Sequence, residues 1–483
     1  MEVYTTMVTM SDYINSGLQG FGMSSGDDLA NLNKALSPGY ETQHTSMTGG
    51  DALRVESLEN SLKVLTYTDQ HIKLWKKIQK VPAYSTVEEY NQLASYGSEG
   101  GGFAPGGVMP ETEDSTYARK TAFVKFLGTT REVSHPMTMV RGAHGDVMAL
   151  ENQNGILWLM KKIENALFWG NSKLGVGGNE GVEFDGLDNL IDPENTVDLK
   201  NNDMSEGHIN WGAQMVLENY GIPSDMFLPF EVMSVFSQQF FPKERVIMPT
   251  GQGEYQAGLV VNKFQTHGGQ VEFNPDLFLQ KTKPLSASAS SPKAPTAPAS
   301  VACGALTGTD GDFAKGVVSV AGTYQYKVTA CNRYGESAPT AAASAVFASS
   351  DDGVKHVPLT ITNAASIAVA PEFFKIYRTE KDGLTFYHIA TVPALSVDAN
   401  AETVINDKNF RLPNTFSAFM GQLDPTVIAF KQLAPLMKMD LAILAPSYRW
   451  MILLYGVPIL YARKKWMRFI NIKANNLAYA GQA

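Results

Sequence analysis

The residues of this chain whose types could do chemistry are eight histidines, two cysteines and a carboxylate pair at Glu183 and Asp185. Zinc held on one helix needs histidines three to five residues apart. His44, His71, His135, His144, His208, His267, His356 and His388 never come that close, so each is expected to be a surface or locally bonded residue. Cys303 and Cys331 form no CxxC pair; they could face one another within one domain, but reduced core thiols are the expectation. Glu183 and Asp185 lie two apart in Gly181-Val182-Glu183-Phe184-Asp185-Gly186-Leu187. Paired carboxylates can share acid and base roles; a tight turn with solvated acids is the simpler reading. The glycines at 170, 175, 177, 178 and 181 follow a helical pattern instead of a strand, the wrong order for a phosphate cradle. Gly251-Gln252-Gly253 lacks the third glycine of a dinucleotide fingerprint, and no G-x-S-x-G, H-E-x-x-H or P-loop signature is present. No catalytic residue, metal site or cofactor is expected.

One charged cluster remains. Arg463, Lys464, Lys465 and Arg468 alternate with Trp466 and Phe469. From Lys431 onward there are eight basic residues and one acid, so this tail carries +7 and residues 1–430 carry -16 of the net -9. Such a cluster either attracts nucleic-acid phosphate, which needs only positive charge, or pairs with acids such as Glu111, Glu113 and Asp114 of other copies of the chain. An acidic chain without a recognition motif is no dedicated nucleic-acid reader.

The elements that would position these residues can be read from spacing. Residues 1–50 are polar and rich in Gly, Ser, Thr and Asn, a composition unable to support its own core; they are expected to be an arm ordered only by partners, or a plain disordered terminus. Leu53, Leu58, Leu62, Leu65, Ile72, Trp75 and Ile78 recur at helical spacings that Pro82 ends. A glycine-rich run at 97–107 joins two extended arms into a long excursion, with Lys120 to Val133 read as one strand. Asp146 to Trp169 is predicted as a helix, with Asp146 as N-cap and Gly170-Asn171 as stop. Its apolar stripe is Ile156, Leu157, Met160, Ile163, Leu167 and Phe168, with Gly155 an interruption. Further helices are expected over 205–220 and 230–240. Pro284, Pro292, Pro295 and Pro298 among Ser and Ala mark a linker. Beyond it, alternation at Tyr324, Tyr326, Val328 and Ala330, and a hairpin around Lys381-Asp382-Gly383, predict a β-sandwich of residues 286–412. Patterned apolar sequence resumes after Pro413, so the sandwich is inserted, and Pro458 and the Arg463-Lys464-Lys465 cluster break the final strands.

Bulk properties bound the class of protein. At 483 residues, about two to four domains are expected. Apolar residues are 44%, ample for packed cores, whereas charged residues are only 18%, below the usual quarter. Surface buried against partner copies and loops rich in Gly, Ser, Thr and Ala account for that deficit equally well. No signal peptide is visible, and the most apolar window, Leu441 to Tyr461, holds Pro446, Arg449 and Pro458, which disqualifies it as a membrane span. The expected site of manufacture is a reducing cytoplasm.

A resemblance sharpens this. Glu164-Asn165-Ala166-Leu167-Phe168-Trp169-Gly170-Asn171, then Gly181 to Leu187, resembles major capsid proteins of tailed bacteriophages. So do Leu65-Thr66-Tyr67-Thr68 with Trp75, Lys80 to Val87, Tyr220 to Asp225, and Tyr455-Gly456 with Lys464-Lys465-Trp466, which are similar to Twort-like and SPO1-like myophage proteins. The likeness touches most of residues 50–475. It implies an α+β, Hong Kong 97-type capsid fold with an immunoglobulin-like insertion. On that pattern residues 1–70 are an N-terminal arm and 71–142 an E-loop. Residues 143–204 are a peripheral domain with a spine helix, 205–285 an axial domain, and 413–483 the return to both. It also implies pentamers and hexamers closing an icosahedral shell around double-stranded DNA, with portal, scaffold and decoration proteins as partners and no membrane. Gly100, Gly101, Gly102 and Phe103 would form an E-loop tip in contact with a neighbouring subunit. No large N-terminal segment is expected to be removed. The readings set aside are another phage tail or baseplate protein, and a secreted glycan-acting enzyme with a fibronectin-like module.

Overall fold

The computed structural model describes residues 66–97, 114–140, 145–240, 247–250, 254–257, 261–279, 285–443 and 445–473. Gly145 aside, these lie in one unit, residues 64–140 and 146–483. Its helices are α1 (Leu74–Lys77), α2 (His135–Met139), α3 (Val147–Trp169), α4 (Leu187–Leu190), α5 (Glu206–Glu218) and α6 (Phe230–Phe240). Helix α3 starts where an N-cap predicts: the Asp146 carboxylate accepts the Met148 N–H at 3.0 Å. It ends at Gly170, whose N–H donates to Ala166 O. The buried face is Gly155, Leu159, Ile163, Glu164, Ala166, Leu167 and Phe168, while Ile156, Leu157 and Met160 are only half-buried. Gly155 causes this rotation. A Cβ there would lie 2.6 Å from Ile452 Cδ1 and 3.3 Å from Arg131 Cγ, so the missing side chain lets the helix press onto the sheet below.

That sheet has four strands in the order β1 (Lys80–Pro82), β20 (Ile428–Asp440), β21 (Ser447–Leu460), β4 (Lys125–Ser134). Trp75, Leu159, Phe168, Phe184, Phe430 and Trp450 anchor the core between sheet and helix. A second sheet runs β5 (Thr196–Asn202), β22 (Trp466–Lys473), β19 (Thr415–Gly421), β6 (Asp225–Leu228), β10 (Gly269–Pro275), β9 (Lys263–Thr266). Helices α5 and α6 supply Ile209, Ala213, Val216, Val232 and Phe236 to its core. Phe168 meets Phe227 and Phe419 of this sheet, joining the two cores. Two hairpins stand apart: β2 (Val87–Ser95) with β3 (Thr116–Phe123), and β7 (Ile247–Thr250) with β8 (Glu254–Ala257).

Residues 300–407 form two further antiparallel sheets around one separate core. One sheet is β11 (Ser300–Cys303), β15 (Val357–Thr362), β18 (Glu402–Asp407). The other is β13 (Gly335–Glu336), β12 (Gly322–Asn332), β16 (Phe373–Thr379), β17 (Phe386–Pro393), with β14 (Ala343–Phe347) also on β12. The alternating Tyr324, Tyr326, Val328 and Ala330 all point into that core.

Several expectations need correction. Over 66–80 only α1 and one 3-10 turn are helical, and Ile72, Leu74, Trp75 and Ile78 are core residues. Residues 71–82, assigned to the E-loop, are therefore a strap fixed in the body, with β1 parallel to β20. Lys120 to Val133 is two strands. β3 pairs with β2 while β4 pairs with β21, and the chain breaks at Val124, which turns inward and donates its N–H to Thr86 O. Pro458 does not interrupt β21: the β4 pairing stops at Gly456, so the proline has a strand neighbour on one side only and no ladder donor is lost. The irregularity in β20 lies instead around Ala434, where the register shifts on both sides, the second shift spanning Pro435. The proline-rich segment is no free linker. Leu285, Ser290, Thr296 and Ala299 donate N–H groups to Phe386, Glu336, Val369 and Thr362.

Candidate assembly surfaces

The β2–β3 hairpin lacks a core of its own. Not one residue of either strand is buried. Tyr96 is 88% exposed and Tyr117, paired opposite Leu93, 71% exposed; Tyr84 and Phe126 at the root are also open to solvent. Among its described residues the hairpin meets the body through Tyr90, edge-on to Tyr461 at 5.2 Å, Gln92, which donates to Tyr461 O, and Glu88, which pairs with Lys431 at 3.7 Å. A two-stranded hairpin of this kind is marginal in water, and exposed tyrosine at this density marks a surface awaiting a partner. The predicted tip residues Gly100, Gly101, Gly102 and Phe103, the arm residues 1–50, and Glu111 and Glu113 lie outside the described residues.

The carboxylates Glu183 and Asp185 serve structure. Asp185 accepts both the N–H and the hydroxyl of Ser172 at 2.9 Å, and Glu183 pairs with Lys162. The turn crosses the end of α3 so closely that Gly186 donates its N–H to Gly170 O at 2.9 Å. This crossing explains why Trp169-Gly170-Asn171 and Asp185-Gly186-Leu187 occur together.

The basic cluster is divided. Arg463, Lys464 and Lys465 share a 3-10 turn, but Arg468 lies on β22 and is buried. Arg468 donates to Thr196 Oγ1 at 2.8 Å and pairs with Asp188 at 3.2 Å, so its charge is held inside its own chain. Arg463 donates to the carbonyl oxygens of Leu190 and Asn189, and Lys464 pairs with Glu194 at 3.0 Å. Among the described residues Lys465 has no ion-pair partner within reach of a salt bridge.

The two-sheet unit at 300–407 is docked on the body through a polar seam; its prolines do not hold it away. Lys315 pairs with Asp198 at 2.7 Å and Arg411 with Asp188 at 2.6 Å. Asn471 donates to Asp198 and to Phe410 O, Asn414 to Glu380, and the Gly177 N–H to Ala394 O at 2.7 Å. Inside the unit, Arg378 is fully buried and held by Asp407 at 2.5 Å and by Asn409. Burial pushes the Cys303 thiol up to about 11 and the Cys331 thiol up to about 12, so both stay protonated and unreactive. Burial first, then Lys375 and Arg411, pull His388 down to about 4, leaving it neutral. His71 and His208 close capping boxes with Thr68 and Ser205.

The comparisons with known proteins decide what these surfaces belong to. A family model described as SU10 major capsid protein matches residues 39–294. The major capsid proteins of Staphylococcus phage K and Staphylococcus phage S25-3 are 31% identical over 451 residues, 91% of this chain and 94% of each relative. The chain belongs to the SU10 major capsid protein family. This capsid protein is a structural component of tailed phages, not an enzyme, and its place is the virion capsid. Among solved structures, the capsid of the native GTA particle aligns with 88% of this chain and 97% of that chain, at 7% identity and TM-score 0.45. Mycobacterium phage Adephagia aligns with 89% and 98%, at 10% identity and TM-score 0.44. These likenesses are distant, and the assignment rests on the sequence relatives. The capsid protein is mixed α+β, as the pattern of elements predicts. No described helix is long and apolar enough to cross a membrane.

Sequence reading missed the charged residues inside the capsid protein. Glu164 accepts three strap N–H groups, and Asp198, Asp188, Lys315 and Arg411 make the seam. A signal existed for Glu164: it adjoins Ile163 on the apolar face of α3, where a lone acid demands a buried partner.

Proposed function

We propose that copies of this capsid protein assemble as pentamers and hexamers into an icosahedral head around double-stranded DNA, using a Hong Kong 97-type fold. The uncovered β2–β3 hairpin carries this reading, because a strand pair with no buried residue is stabilised by lying on another copy. In this assignment the hairpin is the E-loop, with Gly100, Gly101, Gly102 and Phe103 at its tip. Helix α3 is the spine of a peripheral domain within 143–204, residues 205–285 are the axial domain, and 413–483 return to both. Residues 1–70 are the arm. Residues 286–412 are an immunoglobulin-like insertion, a reading its two sheets and separate core support, and in this proposal it faces outward. Portal, scaffold and decoration proteins are its partners, and assembly takes place in the host cytoplasm. The turn at Arg463, Lys464 and Lys465 serves contacts between subunits in preference to DNA, since shell contacts are needed before DNA enters and Glu194 already offsets the Lys464 charge.

The test is Tyr96→Ser with Tyr117→Ser. Both rings are exposed, so subunit stability should change by about 0.5 kcal/mol or less. Burial against a neighbour would be worth about 1.5–3 kcal/mol for each ring, so the double variant should yield soluble subunits and few shells by electron microscopy. Normal shells would refute the hairpin's role.

A further inference from the structure

We propose that Glu164 and Asp276 share one proton between their carboxyl groups, and that this proton latches the strap of residues 72–82 onto helix α3. Glu164 is fully buried in the last third of α3, the longest described helix. Its Oε1 accepts the N–H groups of Lys73 at 2.9 Å and Leu74 at 2.7 Å, and its Oε2 that of Trp75 at 2.8 Å. Three donors on one carboxylate are what an ionised acid in the interior requires. Asp276 is 1% exposed and lies close enough to Glu164 for the two charges to act on each other. Its Oδ1 accepts the Phe278 N–H at 2.7 Å, but its Oδ2 meets no donor among the described residues. Two acceptors cannot bond to each other, and two buried carboxylates in contact cannot both ionise. A proton on Asp276 Oδ2 supplies the missing donor and directs it at Glu164.

No nearby cation removes the need for that proton. Lys73 on the strap faces Asp276 and Lys80 on β1 faces Glu164, yet neither makes a salt bridge to the pair. The Lys80 ammonium is turned onto Trp75 O and lies 4.5 Å from the Trp75 ring. Burial, then the charge of Glu164, pushes Asp276 up to about 9. The latch is therefore closed at neutral pH. As pH rises through that value a second buried charge forms beside the first, and the repulsion is relieved when the strap leaves and admits water. The strap runs directly into the hairpin at Val87, so its release also frees the hairpin's root. This latch operates whether or not the hairpin lies on a neighbouring copy.

The experiment is hydrogen–deuterium exchange of the full-length subunit from pH 7 to pH 10, reading the peptide over 72–78. Wild type and Asp276→Asn are measured side by side, so that the intrinsic rise of exchange with pH cancels in their ratio. Because the opened strap exposes Asp276 and releases its proton, the ratio should climb about tenfold per unit from pH 7 toward pH 9 and level off above it, where the closed latch has lost the proton too. Glu164→Gln, which keeps one acceptor oxygen for the Lys73 and Leu74 N–H groups and loses the charge, should also lack the rise. In parallel, the infrared carbonyl band of a protonated carboxylic acid should be present in the wild type at pH 7 and lost in Asp276→Asn. A wild type without that band at pH 7, or an exchange ratio that stays flat to pH 10, would overturn the proposal.

Discussion

Replacing Gly186 by alanine tests the crossing that fixes the end of helix α3. The backbone of Gly186 has φ -87, so any residue could adopt it and space is the whole obstacle. An added Cβ would lie 2.5 Å from Ala166 O, 2.7 Å from Gly170 N and 2.8 Å from Phe168 C. All three are backbone atoms, which cannot rotate aside. Overpacking by one methyl costs about 1–3 kcal/mol where side chains can adjust, so this site belongs at the top of that range. Forcing the strands apart also weakens the Gly186 N–H to Gly170 O bond and the Asn189 amide bond to the same oxygen, each worth about 1 kcal/mol. The expected loss is about 3–4 kcal/mol. Gly155→Ala is the internal control. There the nearest atoms are the tip of Ile452 and the side chain of Arg131, which can move, and alanine gains about 1 kcal/mol in helix propensity. That variant should fall within about 1 kcal/mol of wild type. Urea unfolding of unassembled subunits, followed by tryptophan fluorescence, measures both. A Gly186→Ala loss below about 1 kcal/mol would refute the reasoning.

Other expectations are as direct. Arg378→Met leaves Asp407 buried without its cation and should cost about 3–5 kcal/mol by calorimetry; a change under about 1 kcal/mol would show that Asp407 is otherwise satisfied. The folded Asp276 carboxyl keeps a proton that the unfolded chain releases near its ordinary value of 3.8, a cost of about 1.4 kcal/mol per unit that grows as pH rises toward about 9. Asp276→Asn should therefore gain on wild type by up to about 4 kcal/mol between pH 4 and pH 7; a gap independent of pH would contradict this. Lys464→Gln with Lys465→Gln should reduce the yield of empty shells. Normal empty shells whose filled counterparts become salt-sensitive would transfer the cluster's role to DNA.

The elements most legible in the sequence are those whose signals are local. Asp146 and Gly170 bracket α3 because capping is decided within one turn, Phe230–Phe240 forms between its two prolines, and the alternation from Tyr324 to Ala330 needs only one buried face. What failed depended on distant partners. Lys120 to Val133 reads as one strand until the two ends are seen to pair with β2 and with β21, more than 300 residues later. The proline-rich segment reads as a linker because nothing in its composition reveals the carbonyls of Glu336, Val369 and Thr362 that hold it. Arg468 reads as one of four equivalent cations, and only the fold places Asp188 beside it. The uncovered hairpin was visible as two extended arms around glycine, but the exposure of Tyr96 and Tyr117 required the structure.

Electron cryomicroscopy of the purified, full-length recombinant protein after assembly tests the central claim most directly. Closed shells of pentamers and hexamers are predicted, with residues 87–123 of each copy lying on an adjacent copy and Tyr96 and Tyr117 buried between them. Fibres, tubes or lasting monomers, or shells in which those two tyrosines stay open to solvent, would contradict it.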